Sequence, residues 1–176
     1  MSYFGCIFAA LGLLIVGLAG YVVLASVFFD AREAAWESQR FDHGKRLAEA
    51  LKRYAALHDG RLPGAAWSSE LESLDPGLER QLFREIDGRR LGFSAVPGTL
   101  ERPLRTMEPG TILFVEATPG RPNSIIHDLS EVGGKLRKST AVTITVENVL
   151  DSAPISMSPL VRIGMQLQRQ HAPNLK

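Results

Sequence analysis

The residues best suited to chemistry in this chain are four histidines, His43, His58, His127 and His171, and one cysteine, Cys6. A helical metal site needs ligands one turn apart. No two of these histidines have i, i+4 or H-E-x-x-H spacing, and no second cysteine can complete a thiolate set. His127-Asp128 is the nearest approach to a site fragment. With no third ligand close by in sequence, it reads as a polar pair at a strand end. There is no G-x-S-x-G elbow, phosphate-binding glycine loop or dinucleotide fingerprint, and composition alone assembles no triad from the many serines and acids. Glu116 follows an apolar strand, where burial is one reading and an exposed strand end the commoner one. The expectation is therefore no catalytic residue, no cofactor-binding residue, no metal ligand and no cofactor.

Charge narrows the classes further. The 20 Lys and Arg and 19 Asp and Glu leave a net charge of +1, which is not the basic footprint of a nucleic-acid binder. Arg89-Arg90 and Lys135–Lys138 are short runs and read as solvated loops or strand ends. Cys6 lies inside an apolar stretch, so an intramolecular disulfide is impossible. It reads as a small apolar residue facing lipid or a neighbouring helix, and no charged n-region precedes it to suggest lipidation.

The elements that would position a site begin with residues 1–29, which carry no charge. Cys6–Phe28 is almost wholly apolar, and roughly 20 helical residues cross a hydrocarbon core of about 30 Å. The run is longer than a signal-peptide h-region and lacks a basic residue before it, which predicts a retained single-pass anchor. The positive-inside rule gives no orientation, because Arg32, Lys45 and Arg46 are mixed with acids. From Asp30 the chain is rich in helix formers and free of proline as far as Asp59, so the helix is expected to continue, with Gly44 as its weak point. Leu47, Leu51 and Tyr54, with Ala50, Ala55 and Leu57 nearby, form an apolar stripe for packing on a domain. Asp59-Gly60 and Pro63 end the helix.

In this helix Ala31-Arg32-Glu33-Ala34-Ala35, Ser38-Gln39, Leu47, Ala50-Leu51, Tyr54, His58 and Gly60-Arg61-Leu62-Pro63 follow a family pattern. The chain resembles a large family of type IV pilins and type II secretion pseudopilins, whose members carry AREAARRSQC-like and LALHNYHDTHGRFP-like runs. Thr111–Glu116 is similar to that family's NTILVVEA-like strand. The family's C-terminal His-nine-residues-Asp-Gly motif is not matched, since nine residues past His127 lie Arg137-Lys138. Nor does a basic leader precede the apolar run, and residues 1–29 contain no carboxylate. The resemblance implies a subunit inserted with its amino terminus in the cytoplasm. The departures imply that the chain keeps residues 1–29 and joins an assembly laterally or at its base.

Beyond residue 60, Trp67–Leu74 and Pro76–Ile86 are predicted helices, with Ser69 and Glu72 as a capping box and Asp75-Pro76 as an N-cap and first helical residue. Leu91–Val96, Thr111–Ala117 and Thr140–Glu147 are predicted strands, and Ser124–Leu129 and Leu160–Leu167 weaker ones. In the last main strand Val142, Ile144 and Val146 alternate with Thr143 and Thr145, a half-buried antiparallel pattern. Pro97-Gly98, Pro109-Gly110, Pro119-Gly120 and Gly133-Gly134 mark turns.

The expected fold is α+β, with an N-terminal transmembrane helix continuing into a long helix packed on an antiparallel β-sheet, pilin-like in arrangement. The expected organisation is an anchor at 1–29, an extending helix at 30–58, an α+β soluble domain at 59–167 and a flexible tail at 168–176. The expected function is that of a membrane-anchored, non-catalytic, pilin- or pseudopilin-like structural or interaction protein, an accessory of a secretion or pilus-type envelope assembly. The expected partners are the lipid bilayer and other envelope or pilin-like proteins, with no nucleic acid and no small-molecule ligand. The expected location is the inner (cytoplasmic) membrane, with the soluble domain on the extracytoplasmic side. The alternative is a single-pass membrane-anchored sensory or binding domain unrelated to pilins.

Overall fold

The computed structural model describes residues 3–83, 85–86, 89–90, 92–117, 120–132 and 140–171. The chain divides into two compact units, Met1–Gln39 and Arg40–Lys176. Helix α1, Tyr3–Leu57, runs through both without interruption. Its first part is long and apolar enough to cross a membrane. Leu13, Val16, Tyr21, Leu24 and Phe28 are all exposed there.

In the second unit α1 packs on a sheet. Arg40, Gly44, Leu47, Leu51 and Ala55 are buried and recur at helical spacing. Leu57, expected near this stripe, is 67% exposed, because it lies two residues past Ala55 and so falls on the opposite side of the helix. Helix α1 runs unbroken through Gly44. A Cβ there would lie 3.1 Å from Ile155 Cγ2 and 3.2 Å from Val142 Cγ1, so the missing side chain is what lets α1 approach the sheet closely. Asp59 and Gly60 both adopt positive φ, and Gly60 N–H donates to Ala55 O at 2.8 Å, closing the helix as its sequence suggests.

The sheet is antiparallel with order β3–β4–β5–β6: Gly92–Ala95, Ile112–Ala117, Thr140–Thr145 and Ser156–Pro159. A separate two-stranded pair, β1 (Glu85–Ile86) and β2 (Arg89–Arg90), precedes it. The fold is α+β. One sheet face carries Phe93, Phe114, Val142 and Ile144 against Leu47, Leu51 and Trp67; Trp67 meets Phe114 edge-on at 4.9 Å. The other face carries Val96, Val115 and Ala141 against Ile163 and Leu167.

Those two residues belong to α5, Leu160–His171, and here the expectation of a strand at Leu160–Leu167 is wrong. Ile163 and Leu167 are one turn apart and both buried, a helical repeat that is easily misread over so short a run. A helix on each face also explains why β5 is not half-buried. Thr143 and Thr145 are as enclosed as Val142 and Ile144, and Thr143 Oγ1 meets Ser158 Oγ at 2.8 Å. The strand ends at Thr145. There Asn148 Oδ1 accepts from the backbone and hydroxyl of Thr145, starting a short helix, α4 (Val146–Leu150).

Three further expectations change. Helix α2, Trp67–Leu74, forms as predicted but has no Ser69–Glu72 capping box. Its first turn is capped across the fold by Asn123 Oδ1, which accepts from Ser68 N at 2.8 Å. Glu72 turns to the next helix instead and accepts from Gly77 N and Glu79 N, and these bonds hold its carboxyl below the usual range. That next helix, α3, is only Leu78–Leu82 with Gly77 at its N-cap, so neither Asp75 nor Pro76 starts it and Glu85–Ile86 is extended. Of the weaker strand at Ser124–Leu129, an isolated parallel bridge from Ile125 to Ala95 is present. The turns at Pro97-Gly98 and Pro109-Gly110 form, while Lys135–Lys138 and Gly133-Gly134 lie outside the described residues.

Candidate functional site

The one charged pair buried in the described core joins α1 to β4. Arg40 and Glu116 are each about 2% exposed. Arg40 Nε donates to Glu116 Oε1 at 2.6 Å, and its Nη2 donates to the second carboxylate oxygen. Val142 N–H adds a third bond to Glu116 Oε2 at 3.3 Å. The expectation that Glu116 lies at an exposed strand end is wrong because β4 is covered on both faces, which leaves no solvated side for it to occupy. The signal was faint but present. Arg40 is seven residues ahead of Leu47 on the core stripe, and Glu116 shares the alternation of Phe114. The arrangement is a fork-on-carboxylate clamp with its lone pairs satisfied, suited to fixing the position of a helix on a sheet.

A second polar contact lies farther along α1. Tyr54 Oη donates to Glu70 Oε2 at 2.6 Å, and Gly64 N–H donates to Glu70 Oε1 at 3.1 Å. The bond to the Glu70 carboxylate, followed by burial, pushes the Tyr54 hydroxyl up to about 12. His58 stacks on the Tyr54 ring at 3.9 Å and its Nδ1 lies 2.8 Å from Tyr54 O. The histidines are not brought together. His43 and His58 are on α1, His127 is in the loop after Ile126, and His171 is the last residue of α5. Among the described residues no group of three His, Cys, Asp or Glu is placed to hold a metal ion.

Beside a smaller cleft of about 230 Å³ between Glu49 and Pro154, two larger open clefts lie among the described residues. One, of about 520 Å³, lies between Lys52, Ala55 and Ala56 of α1 and Leu104, Val149 and Leu150. The other, of about 610 Å³, lies between α5 and the 99–111 segment, and Arg102, Arg162 and Arg169 line it with Glu108. Arg162 Nη2 donates to Gly110 O at 3.0 Å. Neither Arg102 nor Arg169 has an ion pair among the described residues. Sequence reasoning missed this cluster because its arginines are scattered over 68 positions and α5 was read as a strand. Comparisons with family models, with curated proteins and with solved structures found no match to the chain.

Proposed function

We propose that the protein is a membrane-anchored, non-catalytic subunit of pilin or pseudopilin type, acting as a structural or interaction component of an envelope assembly. One observation carries this reading. A single unbroken helix, Tyr3–Leu57, is uncharged and apolar over its first part and buries its second part on one antiparallel sheet. That arrangement gives a subunit two surfaces, an apolar rod for a bilayer and a folded domain for a partner. The pattern from Ala31 to Pro63 supports the same assignment. On this reading the anchor sits in the inner membrane with the amino terminus in the cytoplasm, and the domain lies on the extracytoplasmic side.

The test is topological. A reporter active only outside the cytoplasm, fused after Lys176, should be active, and the full chain should remain with membranes through an alkaline carbonate wash. A cytoplasmic carboxyl terminus removes the pilin-like reading and leaves an anchored sensory or binding domain. Release by the wash removes the integral anchor.

A further inference from the structure

The cleft between α5 and the 99–111 segment has the composition of a ligand site, and its geometry follows from how α5 is docked. Gln166 pairs with the backbone of Ile112 like an extra strand residue. Its Nε2 donates to Ile112 O at 2.7 Å, and its Oε1 accepts from Ile112 N at 2.9 Å. Arg162 is four residues before Gln166 and Arg169 three after it, so both lie on the helix flank that this pairing turns toward the loop. Arg162 is tied to Gly110 O, while Arg102 enters from the opposite wall. Backbone pairing of Leu62 N–H with Arg102 O at 3.1 Å anchors that wall.

Three guanidinium groups face one carboxylate, Glu108, so the lining holds an excess of two positive charges (three less one). A phosphate monoester carries about −1.5 to −2 charge at neutral pH and presents oxygens that match the guanidinium fork. Met165 adds an apolar surface to the lining. The volume, about 610 Å³, falls in the range of small-molecule sites.

We propose that this cleft binds the phosphate group of a phosphate monoester, with Arg102, Arg162 and Arg169 holding it. The proposal stands independently of the pilin-like reading. The same chemistry occurs on a free polyol or sugar phosphate and on a lysophosphatidic headgroup.

The full-length chain in neutral detergent is titrated calorimetrically at low salt with glycerol 2-phosphate, inorganic phosphate and glycerol. The ester and inorganic phosphate are expected to bind, and glycerol not at all. Arg169→Glu and Arg102→Glu should each weaken the ester by about tenfold or more. Arg105→Glu, a charge reversal at Arg105 in the cleft beside Lys52 and Leu104, should leave binding unchanged. A second arm replaces the ester with short-chain lysophosphatidic acid. Binding of the lipid but not the free ester, lost in Arg169→Glu, assigns the same site to a headgroup. Binding of neither ligand overturns the proposal, and so does equal weakening by Arg105→Glu, which would indicate unspecific attraction to positive charge. Circular dichroism of each variant separates lost binding from lost folding.

Discussion

The two parts of α1 share one helical conformation and have opposite surroundings. Between Gly12 and Phe29 the helix leaves Leu13 75%, Leu18 64% and Phe28 68% exposed. Between Arg40 and Ala55 it buries Leu47 and Leu51 completely and encloses a full guanidinium charge. Helix propensity cannot account for that difference. In the second part a stripe of small and branched side chains fits a sheet, and charged residues such as Lys52 and Arg53 turn outward. In the first part no polar face exists, so the apolar surface needs an apolar solvent around it, which a bilayer supplies. Burial within the protein answers that hydrophobic demand for the second part, and the first part is long and apolar enough for a bilayer to answer it.

The sharpest way to break this comparison is to unbalance the charge that only the second part carries. Glu116→Ala leaves Arg40 buried without its partner and should cost about 3–5 kcal/mol in urea unfolding. Replacing both residues, Arg40→Met with Glu116→Leu, should recover most of that loss or exceed the parent stability, since desolvation of two ions is removed together. A loss under about 1 kcal/mol from Glu116→Ala alone would mean that the pair is open to water.

A somewhat smaller effect tests the apolar contrast. Leu51→Ala should cost about 2–5 kcal/mol, the usual result of truncating a buried leucine. Lys52→Ala on the exposed flank should stay within about 0.5 kcal/mol. Leu18→Ala should leave unfolding of the second unit unchanged. Equal shifts for Leu51→Ala and Leu18→Ala in thermal unfolding would erase the distinction between the two parts.

The mildest test sharpens the contact between α1 and α2. Tyr54→Phe should cost about 1 kcal/mol at neutral pH by removing the hydroxyl that Glu70 accepts. The Tyr54 hydroxyl is raised from 10.0 to about 12 in the folded chain. Its contribution is therefore complete below pH 10 and declines as pH rises from there through about 12, because the unfolded chain loses this proton first. Ultraviolet titration of phenolate absorbance, parent against Tyr54→Phe, should locate that group near 12. A midpoint near 10 would mean that Glu70 is not its partner.

Much of this architecture is legible in the sequence. The uncharged segment, the end of α1 at Asp59-Gly60 and the three main strands depend on local composition, short-range spacing and turn residues, and they appear where those features put them. The errors share a different cause. Glu116 was misplaced because its exposure depends on whether one or two layers cover β4. Ser69 and Glu72 were paired because they are neighbours, whereas the acceptor that caps α2 is Asn123, 55 residues from Ser68. The α5 helix was taken for a strand because Leu160–Leu167 is too short for its period to declare itself.

The sequence by itself therefore determined an apolar N-terminal segment, a long helix with one packing stripe, and an antiparallel sheet punctuated by proline and glycine turns. These follow from interactions within a few residues, which each stretch of chain carries wherever it is placed. Only the tertiary structure decided that Arg40 meets Glu116, that α5 covers the second sheet face, and that Arg102, Arg162 and Arg169 share one cleft. Those outcomes join groups many residues apart. They are selected by the balance of desolvation, close packing and hydrogen-bond satisfaction over the whole domain, a balance that no local pattern contains.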